Sequence, residues 1–281
     1  MLWGCARQTQ DMEGDVWAVG AAYEPYIGRW SRAVAAEFVR RLEVAPAGRW
    51  LDIGCGTGAV SQAVLDAGRP AEVAGADASE AYVRYARRRI ADPRAHFVAG
   101  DAGALPFPGA VADVAVSGLV LNFLPDPARA VAELARVTRP GGTVGAYVWD
   151  YAEGMQLIRY FWDAAGALDP RARELDEGTR FPLCRPDRLR ALFTGAGLAG
   201  VRVEAIDMPT RFRDFDEYWT PFLGGQGPAP GYAMSLPQDR RAALRMRLRA
   251  VVPHAADGSI PLSARAWAVR GRRGGARTPG G

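Results

Sequence analysis

The sequence of 281 residues predicts an α/β fold built on a seven-stranded, mostly parallel sheet with helices on both faces. Three observations support this prediction. Short apolar segments alternate with amphipathic segments from residue 49 to residue 148, a glycine-rich turn follows the first apolar segment, and Pro140-Gly141-Gly142 precedes the fifth. Strands this short and apolar are buried on both sides, as in a parallel sheet covered by helices. We therefore expect a Rossmann-like sheet.

The first half of the chain supplies five strands and the helices between them. Apolar runs predict strands at 49–53, 72–76, 95–99, 112–117 and 143–148. Amphipathic runs predict helices at 23–42, 59–67, 79–90 and 126–137. Gly68 ends the second of these helices, Ser79 caps the third, and Pro140 follows the fourth.

Beyond Asp150 the alternation becomes irregular. Helices are predicted at 154–168, 186–194, 213–222 and 236–251, strands at 201–206 and 264–270, and a glycine- and proline-rich loop at 224–231. We expect a loose extension over residues 1–20, one domain over 21–271 with cap insertions near 151–185 and 208–260, and a flexible tail over 272–281. Met12 offers an alternative start to Met1.

Composition excludes several classes of function. Cys5, Cys55 and Cys184 are widely spaced and form no CxxC pair, which predicts a reduced, cytoplasmic location and no metal site. Lysine is absent, so neither a Schiff base nor a Tyr-x-x-x-Lys dehydrogenase pair can form. No apolar stretch is long enough to span a membrane. The net charge of +4 comes partly from an arginine-rich tail without interleaved aromatic residues, so we expect no nucleic-acid partner.

The most informative segment is the glycine-rich turn at the end of the first strand. Asp52, Gly54, Gly56 and Gly58 form a D-x-G-x-G-x-G pattern, although Gly54, Gly56 and Ala59 also fit the dinucleotide pattern G-x-G-x-x-A. Glycines at such a turn let a ligand approach the backbone closely. The carboxylate of Asp52 suits a cationic ligand group and would repel a pyrophosphate.

This pattern resembles motif I of class I S-adenosylmethionine-dependent methyltransferases. The resemblance covers residues 23–150 best and is closest to the small-molecule group, also called methyltransferase type 11 or UbiE-like. It implies S-adenosylmethionine as cofactor, an antiparallel last strand, and methyl transfer to a small-molecule acceptor by in-line displacement. Two alternatives stay open: a nucleotide-linked oxidoreductase, and a non-catalytic module that binds the cofactor or a partner.

The resemblance also assigns roles to residues at successive strand ends. Asp77, followed by Ala78, would accept the ribose hydroxyls; Asp101 would accept the adenine amino group, and the Ala102 amide would reach the ring. The segment 117–122, with Leu119, would hold the methionine portion. Tyr26, in a helix that could act as a lid, would meet the methionine carboxylate.

No catalytic base is identified by the sequence. Candidates are His254, Asp150, Tyr151 and Glu217. The aromatic residues Trp149, Tyr160, Phe161 and Trp162 are expected either to line an acceptor pocket or to fill the core. The identity of the acceptor and the oligomeric state have no sequence signal.

Overall fold

The computed structural model describes residues 28–224 and 227–275, and it confirms the predicted sheet. The strands are β1 (Arg49–Ile53), β2 (Glu72–Asp77), β3 (Ala95–Ala99), β4 (Ala112–Gly118), β5 (Thr138–Trp149), β6 (Leu198–Phe212) and β7 (Ile260–Arg273). Their order is β3-β2-β1-β4-β5-β7-β6. The first five strands are parallel to one another, and β7 runs antiparallel to both of its neighbours.

Ten α-helices are described in these two ranges. They are α1 (Arg29–Arg41), α2 (Ala59–Ala63), α3 (Glu80–Arg89), α4 (Pro127–Val137), α5 (Gln156–Leu168), α6 (Glu177–Arg180), α7 (Pro186–Gly195), α8 (Phe215–Trp219), α9 (Pro228–Ser235) and α10 (Gln238–Val251). A π-helical turn, Val64–Gly68, extends α2, so the predicted helix at 59–67 is present but changes its hydrogen-bonding pattern half way.

The strand order places the helices on both faces of the sheet. The chain moves from β1 outwards through β2 to β3, and then in the opposite direction from β4 to β5. Right-handed crossovers therefore put α2 and α3 on one face and α4 on the other. On the first face, α1 packs against α2, and the Phe38 ring lies 4.8 Å from the Tyr147 ring of β5.

Two sequence predictions about local structure were wrong. Pro140-Gly141-Gly142 does not delay β5, which starts at Thr138, because a register shift opposite Ala112 accommodates the extra residues. The expected loop at 224–231 instead contains the start of α9, where Pro228 occupies the first turn and lacks only an amide that a helix leaves unbonded there.

The last two strands are much longer than predicted. β5 ends at Trp149, opposite Ala266 of β7. Beyond this point β6 and β7 continue to pair with each other, from Ile206 opposite Ala266 to Phe212 opposite Ile260. The hydrogen bonds between these two antiparallel strands extend both of them beyond the apolar runs from which the strands were predicted. Residues 208–212 are therefore part of β6, although they were predicted to belong to a cap insertion.

Aromatic side chains pack together in the segments that were predicted to form a cap. Phe161 of α5 stacks on Phe222 with 4.5 Å between ring centroids, and Trp162 packs against Tyr232 of α9. Phe161 and Trp162 are both buried, so they fill the interior of the cap. No helix in residues 28–224 and 227–275 is long and apolar enough to cross a membrane.

Candidate active site

The glycine-rich loop follows β1 at the point where the strand order reverses, which is where parallel α/β sheets bind ligands. The amides of Gly54 and Cys55 both donate to the Ala76 carbonyl of β2, at 2.8 and 3.0 Å. The loop is therefore anchored to the neighbouring strand end before it enters α2.

The glycines of the loop have different roles. A Cβ on Gly54 would lie 2.4 Å from Val120, and one on Gly58 would lie 2.6 Å from Ile90. These two positions let the loop pack against the protein. A Cβ on Gly56 would meet nothing closer than the Gly54 carbonyl at 3.9 Å, so the loop has free space beside Gly56. That space is where a ligand could approach the bare backbone.

Asp77 ends β2 beside this loop. Its Oδ2 accepts a hydrogen bond from the Gly56 amide at 2.9 Å, and its Oδ1 accepts one from Ser79 at 2.8 Å. Ser79, not Asp77, caps α3 through the Tyr82 amide, as the sequence indicated. Ala78 is exposed between them. The structure thus brings together Asp77 and Gly56, which lie 21 residues apart.

Asp52, whose carboxylate the sequence matched to a cationic ligand group, lies in the protein interior. It is fully buried, and its Oδ2 accepts hydrogen bonds from the Ser61 amide at 2.9 Å and the Ser61 hydroxyl at 2.7 Å. Ser61 can reach the carboxylate because it lies in the first turn of α2, directly after the loop. Burial raises the pKa of Asp52 to about 6. Its Oδ1 is buried and has no partner within the described part of the chain.

The carboxyl end of β3 is hydrogen-bonded to the carboxyl end of β2. The Gly100 amide donates to the Asp77 carbonyl at 3.0 Å. Asp101 is exposed and its Oδ1 accepts the Gly103 amide at 2.8 Å, while Ala102 is buried. Asp101 therefore starts a tight turn one strand away from Asp77.

Leu119 follows β4 in an unusual conformation. Its φ is +61°, in the left-handed region that leucine rarely adopts, and its amide donates to the Tyr147 carbonyl at 2.8 Å. A side chain at Gly118 is excluded because a Cβ there would lie 2.7 Å from both Tyr147 and Val60. Strain of this kind persists where the surroundings enforce it, and it is common at binding sites.

Four of the eight buried side-chain polar atoms that have no partner in the described part of the chain lie at or near the ends of β1, β4 and β5. Within the described ranges, Ser117 Oγ of β4, Asn122 Nδ2 just after β4, and Trp149 Nε1 of β5 have none, as is the case for Asp52 Oδ1. Unpaired buried polar groups are costly and uncommon in folded proteins. The four atoms near the ends of β1, β4 and β5 lie on the side of the sheet where a polar ligand would bind.

The four candidate bases occupy different places. Asp150 and Tyr151 follow β5 and are buried; Asp150 Oδ1 accepts the Glu153 amide at 3.1 Å, and burial raises its pKa. Glu217 is part of the α8 N-terminus, where it accepts the Arg213 amide at 2.6 Å. His254 is exposed after α10, with Nε2 3.1 Å from the Arg249 carbonyl. Only the first two lie at strand ends.

Sequence reasoning missed an aromatic cluster at the ends of β4 and β5. Phe181, after α6, packs edge-on against Phe123, which follows β4, with 5.1 Å between centroids. It also lies 5.6 Å from the Tyr151 ring. No periodicity links these three residues, because each belongs to a different connection.

Behind this cluster, α6 carries a buried acid. Glu177 accepts a hydrogen bond from the Trp162 indole of α5, and burial raises its pKa to about 7. A Cβ on Gly178 would lie 3.0 Å from the Tyr151 carbonyl, so α6 packs directly on the turn after β5. Tyr26 lies outside the described residues. Among those described, no group of three or more His, Cys, Asp or Glu side chains could hold a metal ion.

Comparisons with known proteins agree with this geometry. Residues 51–145 match the family model described as a methyltransferase domain. Residues 51–145 therefore carry a methyltransferase domain, in agreement with the resemblance to class I S-adenosylmethionine-dependent methyltransferases. The matched segment of the methyltransferase domain begins in β1 and ends in β5, so it contains the glycine loop, Asp77 and Asp101.

Two curated relatives each match about half of the chain. A demethylmenaquinone methyltransferase of Renibacterium salmoninarum is 36% identical over 132 residues, 47% of this chain and 50% of the relative. A malonyl-[acyl-carrier protein] O-methyltransferase of Pseudescherichia vulneris is 43% identical over 129 residues, 46% of this chain and 49% of the relative. The chain thus spans about half the length of these relatives.

A solved structure extends the likeness in fold beyond β5. The phosphoethanolamine N-methyltransferase 2 of Haemonchus contortus, in complex with S-adenosyl-L-methionine, has a TM-score of 0.56 at 17% identity. The likeness covers 89% of this chain and 56% of that protein. At this identity it supports the seven-stranded fold of the methyltransferase and not a particular acceptor.

Proposed function

We propose that this protein transfers a methyl group from S-adenosylmethionine to a small-molecule acceptor. The observation that carries the proposal is the junction at Asp77. Its carboxylate bonds the Gly56 amide of the loop, and its carbonyl bonds the Gly100 amide beside Asp101. Three strand ends that the family uses for cofactor binding are thus joined at one residue.

The residues present fit the cofactor. The open backbone at Gly56 leaves room for the ligand against the loop, and Asp77 beside it would accept the ribose hydroxyls. Asp101 Oδ2 has no partner among the described residues and would accept the adenine amino group, beside the Ala102 amide. The buried, unpaired Asp52 Oδ1 suits a cationic group, and Leu119 would border the methionine portion.

The chain contributes position and the exclusion of water. When bound, S-adenosylmethionine supplies a methyl group on a positively charged sulfur, which is activated for displacement. Buried side chains around Leu119 and Tyr151 would keep water from this region and orient the acceptor in line. For a hydroxyl acceptor, Asp150 and Tyr151 are the candidate bases, because they follow β5 directly. The other two candidates, Glu217 and His254, do not lie at a strand end.

The aromatic cluster formed by Phe123, Tyr151 and Phe181 favours an apolar or aromatic acceptor. It lies over the ends of β4 and β5, next to the segment assigned to the methionine portion. Flat rings provide a large apolar surface with defined geometry. The two relatives are named for a quinone substrate and a carrier-bound acyl group, which agrees with an acceptor outside the nucleic acids.

Calorimetry tests the proposal. S-adenosylhomocysteine should bind the purified protein, and NAD should not. Binding of NAD alone would support the oxidoreductase alternative, and binding of neither would contradict both. Incubation with methyl-labelled S-adenosylmethionine and a panel of small apolar metabolites then distinguishes an enzyme from a non-catalytic binding module, which would bind the cofactor and transfer no label.

We also propose that the protein works in the cytoplasm. Cys55 and Cys184 are free and buried, and burial raises the pKa of both thiols. Unreactive buried thiols are usual in a reducing compartment. Fractionation of source cells tests this location, and recovery from a secreted fraction would contradict it.

A further inference from the structure

The loop between β3 and β4 carries Asp101 and Ala102 but contains almost no regular structure. Its own stabilising contacts are the Asp101–Gly103 hydrogen bond and one from the Ala104 amide to the Asp101 carbonyl at 3.0 Å. Asp101 itself is exposed. A short exposed turn of this kind would leave the carboxylate free to move unless the following residues are held.

The following residues are held by one stripe of α4. Arg129, Glu133 and Arg136 are spaced four and three residues apart, so they lie on the same side of the helix. Glu133 accepts the Leu105 amide at 2.7 Å, and Arg129 donates to the Gly103 carbonyl at 2.6 Å. We call these three side chains the α4 clamp.

Arg136 completes the clamp. It donates to the Leu105 carbonyl at 3.2 Å and to the Phe107 carbonyl at 3.0 Å. Two of its nitrogens also bond the Glu133 carboxylate at 2.6 and 2.8 Å. The carbonyls of Gly103, Leu105 and Phe107 therefore all bond side chains of α4.

The clamp is built from charged groups, which make stronger hydrogen bonds than neutral ones. The hydrogen bond from Arg136 is the main reason that the pKa of Glu133 lies below its ordinary value. Glu133 is therefore ionised at neutral pH. It is also largely buried, with 17% of its side chain exposed, so water competes little for the Leu105 amide.

We propose that the α4 clamp positions Asp101 and thereby sets the preference of the site for adenine. Arg129 bonds a carbonyl only two residues after Asp101, and Glu133 bonds an amide two residues further on. Fixing both points fixes the turn that presents the Asp101 carboxylate. The inference rests on the proposed function, in which Asp101 accepts the 6-amino group of adenine.

The test compares two ligands whose purine rings differ at the 6 position and in the hydrogen on the neighbouring N1. S-adenosylhomocysteine carries the 6-amino group, and S-inosylhomocysteine carries a carbonyl there. Wild-type protein should bind the adenine ligand more tightly, and Asp101→Ala should remove most of that preference. Glu133→Ala should reduce the preference about three- to tenfold, the equivalent of one hydrogen bond.

Two variants separate positioning from general damage. Glu133→Gln keeps an oxygen for the Leu105 amide and should restore most of the preference. Arg129→Ala removes an exposed side chain, so the variant should stay folded and lose part of the preference. Glu37→Ala is the matched control, because Glu37 also bonds an arginine three residues later, on α1, and should leave the preference unchanged.

The possible outcomes are distinct. Failure of the wild-type protein to bind either ligand would contradict the proposed function. If the wild-type protein prefers the adenine ligand and both Glu133→Ala and Arg129→Ala keep that preference, the proposed role of the α4 clamp is overturned and the proposed function is not. An equal loss of affinity for both ligands would also overturn the role of the clamp, because a purely structural contribution does not distinguish the two bases.

Discussion

The Gly56 amide donates a 2.9 Å hydrogen bond to the Asp77 carboxylate, and this bond joins the glycine loop to the end of β2. The same carboxylate accepts the Ser79 amide through its other oxygen. We therefore infer two roles for Asp77. Its carboxylate stabilises the conformation of the loop, and its remaining lone pairs can accept hydrogen bonds from a ligand that lies against the loop.

Replacing Asp77 should weaken cofactor binding. We expect Asp77→Ala to lower the affinity for S-adenosylhomocysteine by about 1 to 3 kcal/mol, the contribution of hydrogen bonds to a charged group. Calorimetry measures the change. Asp113→Ala is the matched control, because Asp113 also accepts a backbone amide, from Arg49 at 2.7 Å, but at the amino-terminal end of β1. Unchanged affinity in Asp77→Ala would refute the ribose role.

The glycines at 54 and 56 should respond differently to alanine. Gly54→Ala places a Cβ against Val120 and also has a positive φ, of +72°, so we expect a loss of stability of at least about 1 to 3 kcal/mol, the cost of overpacking. Gly56→Ala meets free space, although its φ of +50° adds strain, and should mainly weaken ligand binding. Thermal melts and calorimetry on both variants check the contrast, and a reversed order would contradict it.

Cofactor affinity should depend on the protonation of Asp52. Its pKa is raised to about 6 by burial, and a bound ammonium group would favour the ionised form. Affinity for S-adenosylhomocysteine should therefore fall, by up to about tenfold, as the pH drops from 6 to 5. Asp52→Asn should bind weakly and show no such fall. A pH dependence that persists in this variant would exclude Asp52 as its source.

Glu177 should make the protein less stable as the pH rises. Its pKa is raised from 4.5 to about 7 in the folded state, so the folded protein binds more protons than the unfolded chain between these values. The stability that it contributes is complete below about pH 4.5 and is lost as the pH rises through about 7.

Glu177→Gln should flatten this part of the stability curve, because glutamine still accepts from Trp162 and does not ionise. The expected difference across the window is on the order of 3 kcal/mol. Urea unfolding at pH 5 and pH 8 measures it. The exposed Glu174→Gln should keep the wild-type dependence, and an identical curve for Glu177→Gln would show that the buried carboxyl does not titrate in this range.

Local sequence was enough to predict the fold of the methyltransferase domain. The strands β1 and β3 have the predicted bounds, and the predicted glycine loop and Asp77 are joined by a hydrogen bond. These features are encoded within short windows: an apolar run, a turn of glycines, and an acid at the end of a strand. In the segments predicted as a cap, α5 and α10 also lie within two residues of their predicted bounds, whereas the four-residue α6 and α9, which begins at a proline in a glycine-rich run, were not predicted.

The sequence by itself predicted the methyltransferase domain and the strand ends at which the cofactor is expected, since motif spacing and parallel strand order together require these ends to converge. Only the tertiary structure showed that Ser61 occupies one oxygen of Asp52, that Phe123 and Phe181 meet Tyr151, and that α4 holds the loop of Asp101. These contacts join segments up to 58 residues apart, as Phe123 and Phe181 are. Their formation depends on how connections fold over the sheet, which local periodicity does not encode.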